Sequence, residues 1–206
     1  MYNCIGCEKH CRAVVGSRYE DCGIEIEKRY YIYPYSDMFL CCGLKHIMDR
    51  VLSHPEITQC KLSQNIVFVD FSYRNIKHFL GEDWIWMLLN SRIVFICDRK
   101  MIPLAHYWME RITLLGIRGC IIHHYDGIDE TVDSVLALYK GQNSGFTACQ
   151  KYVLTYQELR VLTLIYKGIG LSDISYLCNL RPKTVYAYKY SIEKKMGFSI
   201  KSFFHV

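Results

Sequence analysis

Little in this 206-residue sequence is long, repeated or charged in blocks, and each shortage removes a class of protein. No apolar run approaches the roughly 18 residues that a membrane-spanning helix needs. The longest are short stretches such as 84–89 and 93–97. Residues 1–11 carry Glu8, Lys9 and His10 where a secretion signal would carry an apolar segment, so a cytoplasmic location is expected. There is no internal repeat and no low-complexity tract. Charged residues make up only 22% of the chain against 51% hydrophobic, which excludes a mainly disordered protein and supplies a real core. No Gly-rich phosphate loop and no activated nucleophile accompanies the run His123-His124-Tyr125-Asp126. That run reads as a loop or the start of a helix, and no enzyme is expected.

Cysteine is present in excess. Eleven cysteines, an odd number, would suggest a disulfide framework in a secreted chain, but without a signal they are expected as reduced thiols. Most sit in apolar settings, such as Cys97 and Cys120, where a free thiol acts as a small hydrophobe. One constellation has metal chemistry. Cys4, Cys7 and Cys11, with His10 and Cys22 nearby, place thiolates at spacings that can hold zinc or an iron–sulfur cluster. A second Cys-x-x-Cys pair is missing, so the competing reading is a handful of exposed thiols. No other cofactor is expected.

Charge is unevenly distributed. Residues 151–206 hold nine Lys or Arg and three acids, a balance of +6. Residues 1–150 hold the other 16 bases and 17 acids, a balance of −1. A near-neutral body with a compact basic end fits a module that binds a polyanion.

The pattern along the chain divides it into a Cys-rich extension (1–28), an α/β domain (29–140), a linker (141–150) and a small helical domain (151–206). Residues 29–33 have strand-like composition and stop at Pro34, and short β-branched apolar runs at 65–71, 92–97 and 118–123 read as buried parallel strands. Helical patterns lie between and after them. Ser36 or Asp37 caps a helix to residue 52, with Phe39, Leu40, Leu44, Ile47, Met48 and Val51 expected on one face. Others fall at 73–80, 103–114 and 129–139. Gly141, Asn143, Ser144 and Gly145 mark the linker.

In the last domain Thr155 and Glu158 form a capping box for a helix whose apolar stripe is Leu159, Leu162 and Ile165 or Tyr166. Gly168 ends it. A short helix over 172–178, with Ile174 and Leu177 inward, is followed by a tight turn at 179–181. Pro182 opens a third helix through Lys195 that turns Val185, Ile192 and Met196 inward. Lys183, Tyr186, Ala187, Lys189, Tyr190 and Lys194 are left outward. Gly197 ends it, and Ser199 caps a last short helix. A short helix, a turn and a longer basic helix match a helix-turn-helix unit, whose second helix enters the major groove.

Leu154, Thr155, Glu158, Val161, Leu162, Gly168, Asp173, Ile174, Thr184, Val185, Lys195, Met196 and Gly197 together resemble the LuxR/NarL-type C-terminal DNA-binding domain. That resemblance implies groove contacts from Tyr186, Ala187 and Tyr190 and phosphate contacts from Lys183, Thr184, Lys189 and Lys194. Two departures stand out. Arg181 replaces the family's usual Ser cap, and Tyr186 and Tyr188 replace its usual Lys and His. Taken alone, the lysines would read as a solvated helix face.

The α/β half is receiver-like but degenerate. Asp70 ends a strand where a receiver carries its phosphate acceptor. Tyr33-Pro34-Tyr35 stands where the magnesium-holding acids belong, and His123-His124 where the Lys belongs, so Asp70 reads as a strand-end residue. The runs Pro34-Tyr35-Ser36-Asp37, Val67-Phe68-Val69-Asp70 and 99–108 make this half similar to the N-terminal domains of enterobacterial regulators of fimbriae, pili and capsule. These include the common-pilus operon regulator, the Vi polysaccharide regulator and the auxiliary regulators of the Rcs phosphorelay. Cys4 to Cys22 lie outside that similarity. It implies a dimeric regulator of surface-structure genes, bound to double-stranded DNA and controlled by a protein partner. Two alternatives stand beside it. One is an adaptor that acts by heterodimerisation with a response regulator. The other is a small-molecule or metal/redox-sensing regulator, with Trp84, Trp86, Tyr107 and Trp108 as the candidate lining of a pocket.

Overall fold

The computed structural model describes residues 30–34, 38–58, 65–86, 88–142 and 152–200. Four parallel strands form one sheet in the order β1-β2-β3-β4: Tyr30–Tyr33, Ile66–Phe71, Arg92–Cys97 and Gly119–His123. Every residue of β2 is buried, because side chains alternate across a strand and both faces of this sheet are covered. Val67, Val69 and Phe71 join Ile93, Phe95 and Cys97 on one face. Ile66 and Phe68 join Val94, Cys120 and Ile122 on the other.

Helices α1 (Met38–Leu52) and α5 (Ile128–Tyr139) cover the second face, while a 3-10 helix (Tyr73–Phe79), α3 (Asp83–Trp86) and α4 (Ile102–Leu114) belong to the first. A short α2 (Pro55–Thr58) follows α1. Helices on both faces of a parallel sheet are the receiver-like arrangement. A doubly wound receiver has five strands in the order 2-1-3-4-5. Here the described residues place no strand between α1 and β2, and β2 pairs directly with β1.

Helix α1 buries Leu44, Met48 and Val51, with Leu40 and Ile47 half-buried beside them. Phe39, expected on this face, is instead 89% exposed. At 100° per residue it lies on the opposite side of the helix from the Leu44–Met48–Val51 stripe. The Ser36 and Asp37 caps fall outside the described residues, as do the cysteines of the 1–28 segment.

Asp98, just past β3, braces the first face. Its Oδ1 accepts from the backbone N–H groups of Lys100 and Met101, both at 3.0 Å, and its Oδ2 from that of Tyr73 at 2.6 Å. One carboxylate therefore ties the start of the 3-10 helix to the turn before α4. Trp84 and Trp108 are fully buried in an aromatic core with Phe71, Phe79 and Phe95. The Trp108 indole N–H donates to the Phe79 carbonyl at 2.8 Å. Trp84 is core, Trp108 is buried but borders a small cleft beside Tyr107, and Trp86 is exposed.

The C-terminal helices are α6 (Tyr156–Tyr166), α7 (Leu171–Leu177) and α8 (Pro182–Met196). The capping box at α6 is as expected: Glu158 N–H donates to the Thr155 hydroxyl, and Thr155 N–H to the Glu158 carboxylate. Leu159, Val161, Leu162 and Ile165 are buried against Ile174, Val185, Ile192 and Met196. Leu177, expected inward, is 52% exposed. The inner side of α7 passes from Ile174 to Cys178 and Leu180, which pack on the core in its place. Of the short helix expected after Ser199, Ile200 is described, in 3-10 conformation and buried, and the rest lies outside the described residues.

These helices dock on the first face of the α/β half, and their core is continuous with it. The Thr163 hydroxyl of α6 donates to the Leu80 carbonyl at 2.9 Å, and Leu154 N–H donates to the Pro103 carbonyl at 3.2 Å. The rings of Tyr73 and Phe198 meet edge to face at 4.8 Å. No helix of the described residues is long and apolar enough to cross a membrane.

Candidate nucleic-acid interface

Helix α8 begins at Pro182, which needs no N–H partner there and whose ring presets helical φ. Arg181 sits at the N-cap with extended backbone and makes no side-chain cap bond, so the family's usual serine bond is absent. The helix ends at Gly197, whose φ of 69° is the left-handed cap geometry that glycine adopts without strain. Val185, Ile192 and Met196 face inward and are fully buried.

The opposite face carries Lys183, Tyr186, Ala187, Tyr190 and Lys194, all exposed, with Tyr186 at 60% and Tyr190 at 69%. Thr184 is half-buried beside them. Lys189 differs from the other lysines. Its side chain is only 23% exposed, and its Nζ pairs with Glu193 at 3.0 Å. Glu193 also accepts from the N–H of Ile200 at 2.9 Å. Burial alone would raise the Glu193 carboxyl, but the Ile200 and Lys189 bonds hold it below the ordinary carboxylate range. Lys189 thus braces the end of α8, and a phosphate would have to compete for it.

Behind this face lies a clasp. Glu158 is buried, and its Oε2 accepts from Lys195 Nζ and from Thr155 N–H, each at 2.7 Å. Its Oε1 accepts from the Ser191 hydroxyl at 2.6 Å. Lys195 also donates to the Val153 carbonyl at 2.8 Å. Burial alone would raise the Glu158 carboxyl. The bonds from Lys195, Ser191 and Thr155 outweigh it and hold the group below its ordinary range. The capping box was legible from spacing, but the clasp across to α8 was not. Two of the three acids in residues 152–200 are consumed in these pairs, and Asp173 is exposed on α7. The outer face of α8 therefore presents cations with no acid among them.

The contacts to the α/β half come from α6, the segment before it, the side of α8 that meets α4, and Phe198. The outer face of α8 is open. Between the halves lies a cleft of about 240 Å³ lined by Tyr107, Trp108, Tyr156 and Arg160 among others. It is smaller than the roughly 300–1,000 Å³ of ordinary ligand sites.

In the α/β half, Asp70 is buried at the end of β2. Its Oδ2 accepts from Arg74 at 3.0 Å and from the Asn75 amide at 2.8 Å. The i, i+4 spacing of Asp70 and Arg74 could have signalled this pair. Asp126 accepts from the His123 N–H at 2.7 Å and so braces a turn, the loop role expected of that run. Among the described residues no three His, Cys, Asp or Glu side chains are grouped to hold a metal. Cys4, Cys7, Cys11 and Cys22 lie outside the described residues.

A basic helix held by two others, with its outer face free, defines a helix-turn-helix DNA-binding protein. The family model described as the EcpR N-terminal domain matches residues 3–137, and the chain belongs to that family. A second, described as bacterial regulatory proteins, luxR family, matches residues 152–202. The chain is thus a DNA-binding transcription regulator of the LuxR type with a receiver-like N-terminal half. The first match starts at residue 3 and takes in Cys4 to Cys22, which the sequence reading left outside the similarity. YqeH of Escherichia coli strain K12, described as uncharacterized, is 27% identical over 205 residues, which is 98% of this chain and 91% of YqeH. RcsB from Salmonella enterica serovar Typhimurium, solved bound to promoter rprA, is 15% identical, covering 82% of this chain and 95% of that one, with a TM-score of 0.36. Full-length FixJ from B. japonicum is 15% identical, covering 85% and 93%, with a TM-score of 0.35.

Proposed function

We propose that the protein binds specific promoters as a dimer in the bacterial cytoplasm, controls surface-structure genes, and answers to a protein partner rather than to phosphorylation. The observation that carries the reading is the outer face of α8: Lys183, Tyr186, Ala187, Tyr190 and Lys194 form one exposed stripe with no acid in it. Lys183 and Lys194 contact phosphates, Thr184 lies at the flank to add to them, and Lys189 adds to them only by leaving Glu193. A dimer is expected because one small module reads too few base pairs for useful specificity. The similarity to regulators of fimbriae, pili and capsule supports surface-structure targets. Control by a partner is supported by the Asp70 carboxylate, already held by Arg74 and Asn75, and by Tyr33 and Pro34 in place of magnesium-binding acids.

The test is selection of fragmented genomic DNA by the reduced full-length protein at two salt concentrations, beside a Lys183→Ala, Lys194→Ala variant. The expected result is retention of discrete promoters and its loss in the variant, with unchanged thermal unfolding. The slope of log affinity against log salt should fall by about 3.6 for the dimer, at roughly 0.9 for each of two phosphate contacts per protomer. Retention without sequence preference would overturn the reading. Retention that appears only when a response regulator is added would favour the adaptor.

A further inference from the structure

The outer stripe of α8 has an ordered composition. Lys183 and Lys194 stand at its two ends, about 16 Å apart along the axis at 1.5 Å per residue. Between them lie only Tyr186, Ala187 and Tyr190. The resemblance to the LuxR/NarL-type domain assigns the two cations to phosphates and the uncharged centre to base edges. Direct readout of guanine relies on Arg or Lys forks, and readout of adenine on Asn or Gln amides. Helix α8 contains no Arg, Asn or Gln at all. Its one acid, Glu193, is tied to Lys189 and Ile200. The centre of the stripe therefore lacks the bidentate groups that read purines. It offers one methyl group, two ring surfaces and two single hydroxyls.

The thymine C5-methyl is the apolar group that a major groove presents to such a surface. Resting on the DNA-binding reading above, we propose that this protein selects its sites chiefly by apolar contact of Ala187 and the rings of Tyr186 and Tyr190 with thymine methyls. Purine hydrogen-bond acceptors contribute little to that selection. The sites are thymine-rich in the half-site centres. Arg181 is the one guanidinium adjoining the stripe, and at the N-cap it lies beside Lys183, at the phosphate end.

Selection from random double-stranded DNA by the full-length protein, followed by deoxyuridine substitution, tests this. Deoxyuridine removes the methyl and keeps the base pair. The expected result is a set of thymines fixed in the selected site. Replacing each contacted one by deoxyuridine weakens binding roughly fourfold, as expected for losing one buried methyl-sized group. Tyr186→Phe and Tyr190→Phe keep that discrimination, while Tyr186→Ala and Tyr190→Ala erase it with unchanged circular dichroism. Equal affinity for thymine and deoxyuridine duplexes overturns the inference and leaves DNA binding standing. So does a site fixed by guanine whose preference disappears in Arg181→Ala, or loss of discrimination in the Phe variants. Failure to select any sequence defeats the DNA-reading proposal itself, and this inference with it.

Discussion

Each half of the molecule buries one carboxylate and closes a basic side chain over it, and the two clasps differ in reach. Asp70 is held by Arg74, four residues away, and by the neighbouring Asn75. Glu158 is held by Lys195, 37 residues away on another helix, and by Ser191. The first clasp closes within a single turn of chain and satisfies a strand end that the sheet already positions. The second joins α6 to α8 and brings with it the Val153 carbonyl, so it sets the angle at which the outer face of α8 is presented. A local pair satisfies a buried charge, and a distant pair also decides geometry.

The largest effect that would break this comparison comes from the distant clasp. Removing one partner of a buried pair leaves the other uncompensated, at about 3–5 kcal/mol. Glu158→Ala should therefore melt the C-terminal helices first and abolish DNA binding, as read by thermal circular dichroism and a binding titration. Glu158→Leu combined with Lys195→Met should recover most of the stability, since no charge is then left alone. A Glu158→Ala protein that melts like the parent would show that the distant clasp does not hold the C-terminal helices together.

A smaller effect is expected from Asp70→Asn. It removes the ion pair to a half-exposed Arg74 but leaves a group that can accept from Asn75, so the loss is about 1 kcal/mol in urea unfolding. DNA affinity should not change, and phosphate donors should not alter either protein. A loss of several kcal/mol would mean that the local clasp is as structural as the distant one.

A third effect, gradual rather than all at once, separates the halves by pH. Burial, with help from His123, pushes His106 of α4 down to about 4 from an ordinary 6.5. Between those values the unfolded chain holds a proton that the folded chain does not, so stability falls as pH drops through that window. Glu158, also lowered, adds a loss that begins lower, as pH falls below the ordinary carboxylate range. Urea midpoints measured across pH should show two separable declines, and His106→Phe should flatten only the upper one. A single decline untouched by that substitution would remove His106 from the account.

Much of the fold was legible because its signals are local. Three of the four strand segments are short β-branched runs and β1 is tyrosine-rich, and the bounds of β3 agree to the residue. The Thr155–Glu158 capping box and the stops at Gly168 and Gly197 follow from backbone chemistry within a few residues. Where a side chain points was less legible. Phe39 is apolar but lies on the far side of α1 from its inner stripe, and Leu177 is turned outward while Cys178 and Leu180 pack on the core in its place. Lys189 was assigned to phosphate by its place in the family pattern, while Glu193 one turn on takes it into an ion pair.

The sequence by itself determined the elements, their class and the concentration of positive charge at one end, because periodicity, caps and composition act over a few residues. Only the tertiary structure decided which of those charges remain on offer. Lys195 and Lys189 are spent on Glu158 and Glu193, while Lys183 and Lys194 stay outward. It also decided that the α/β half docks behind α8 through Thr163, Leu154 and Phe198, leaving the outer face open. These outcomes depend on which distant groups meet when the chain packs, and a buried charge takes whichever partner the packing brings within bonding distance.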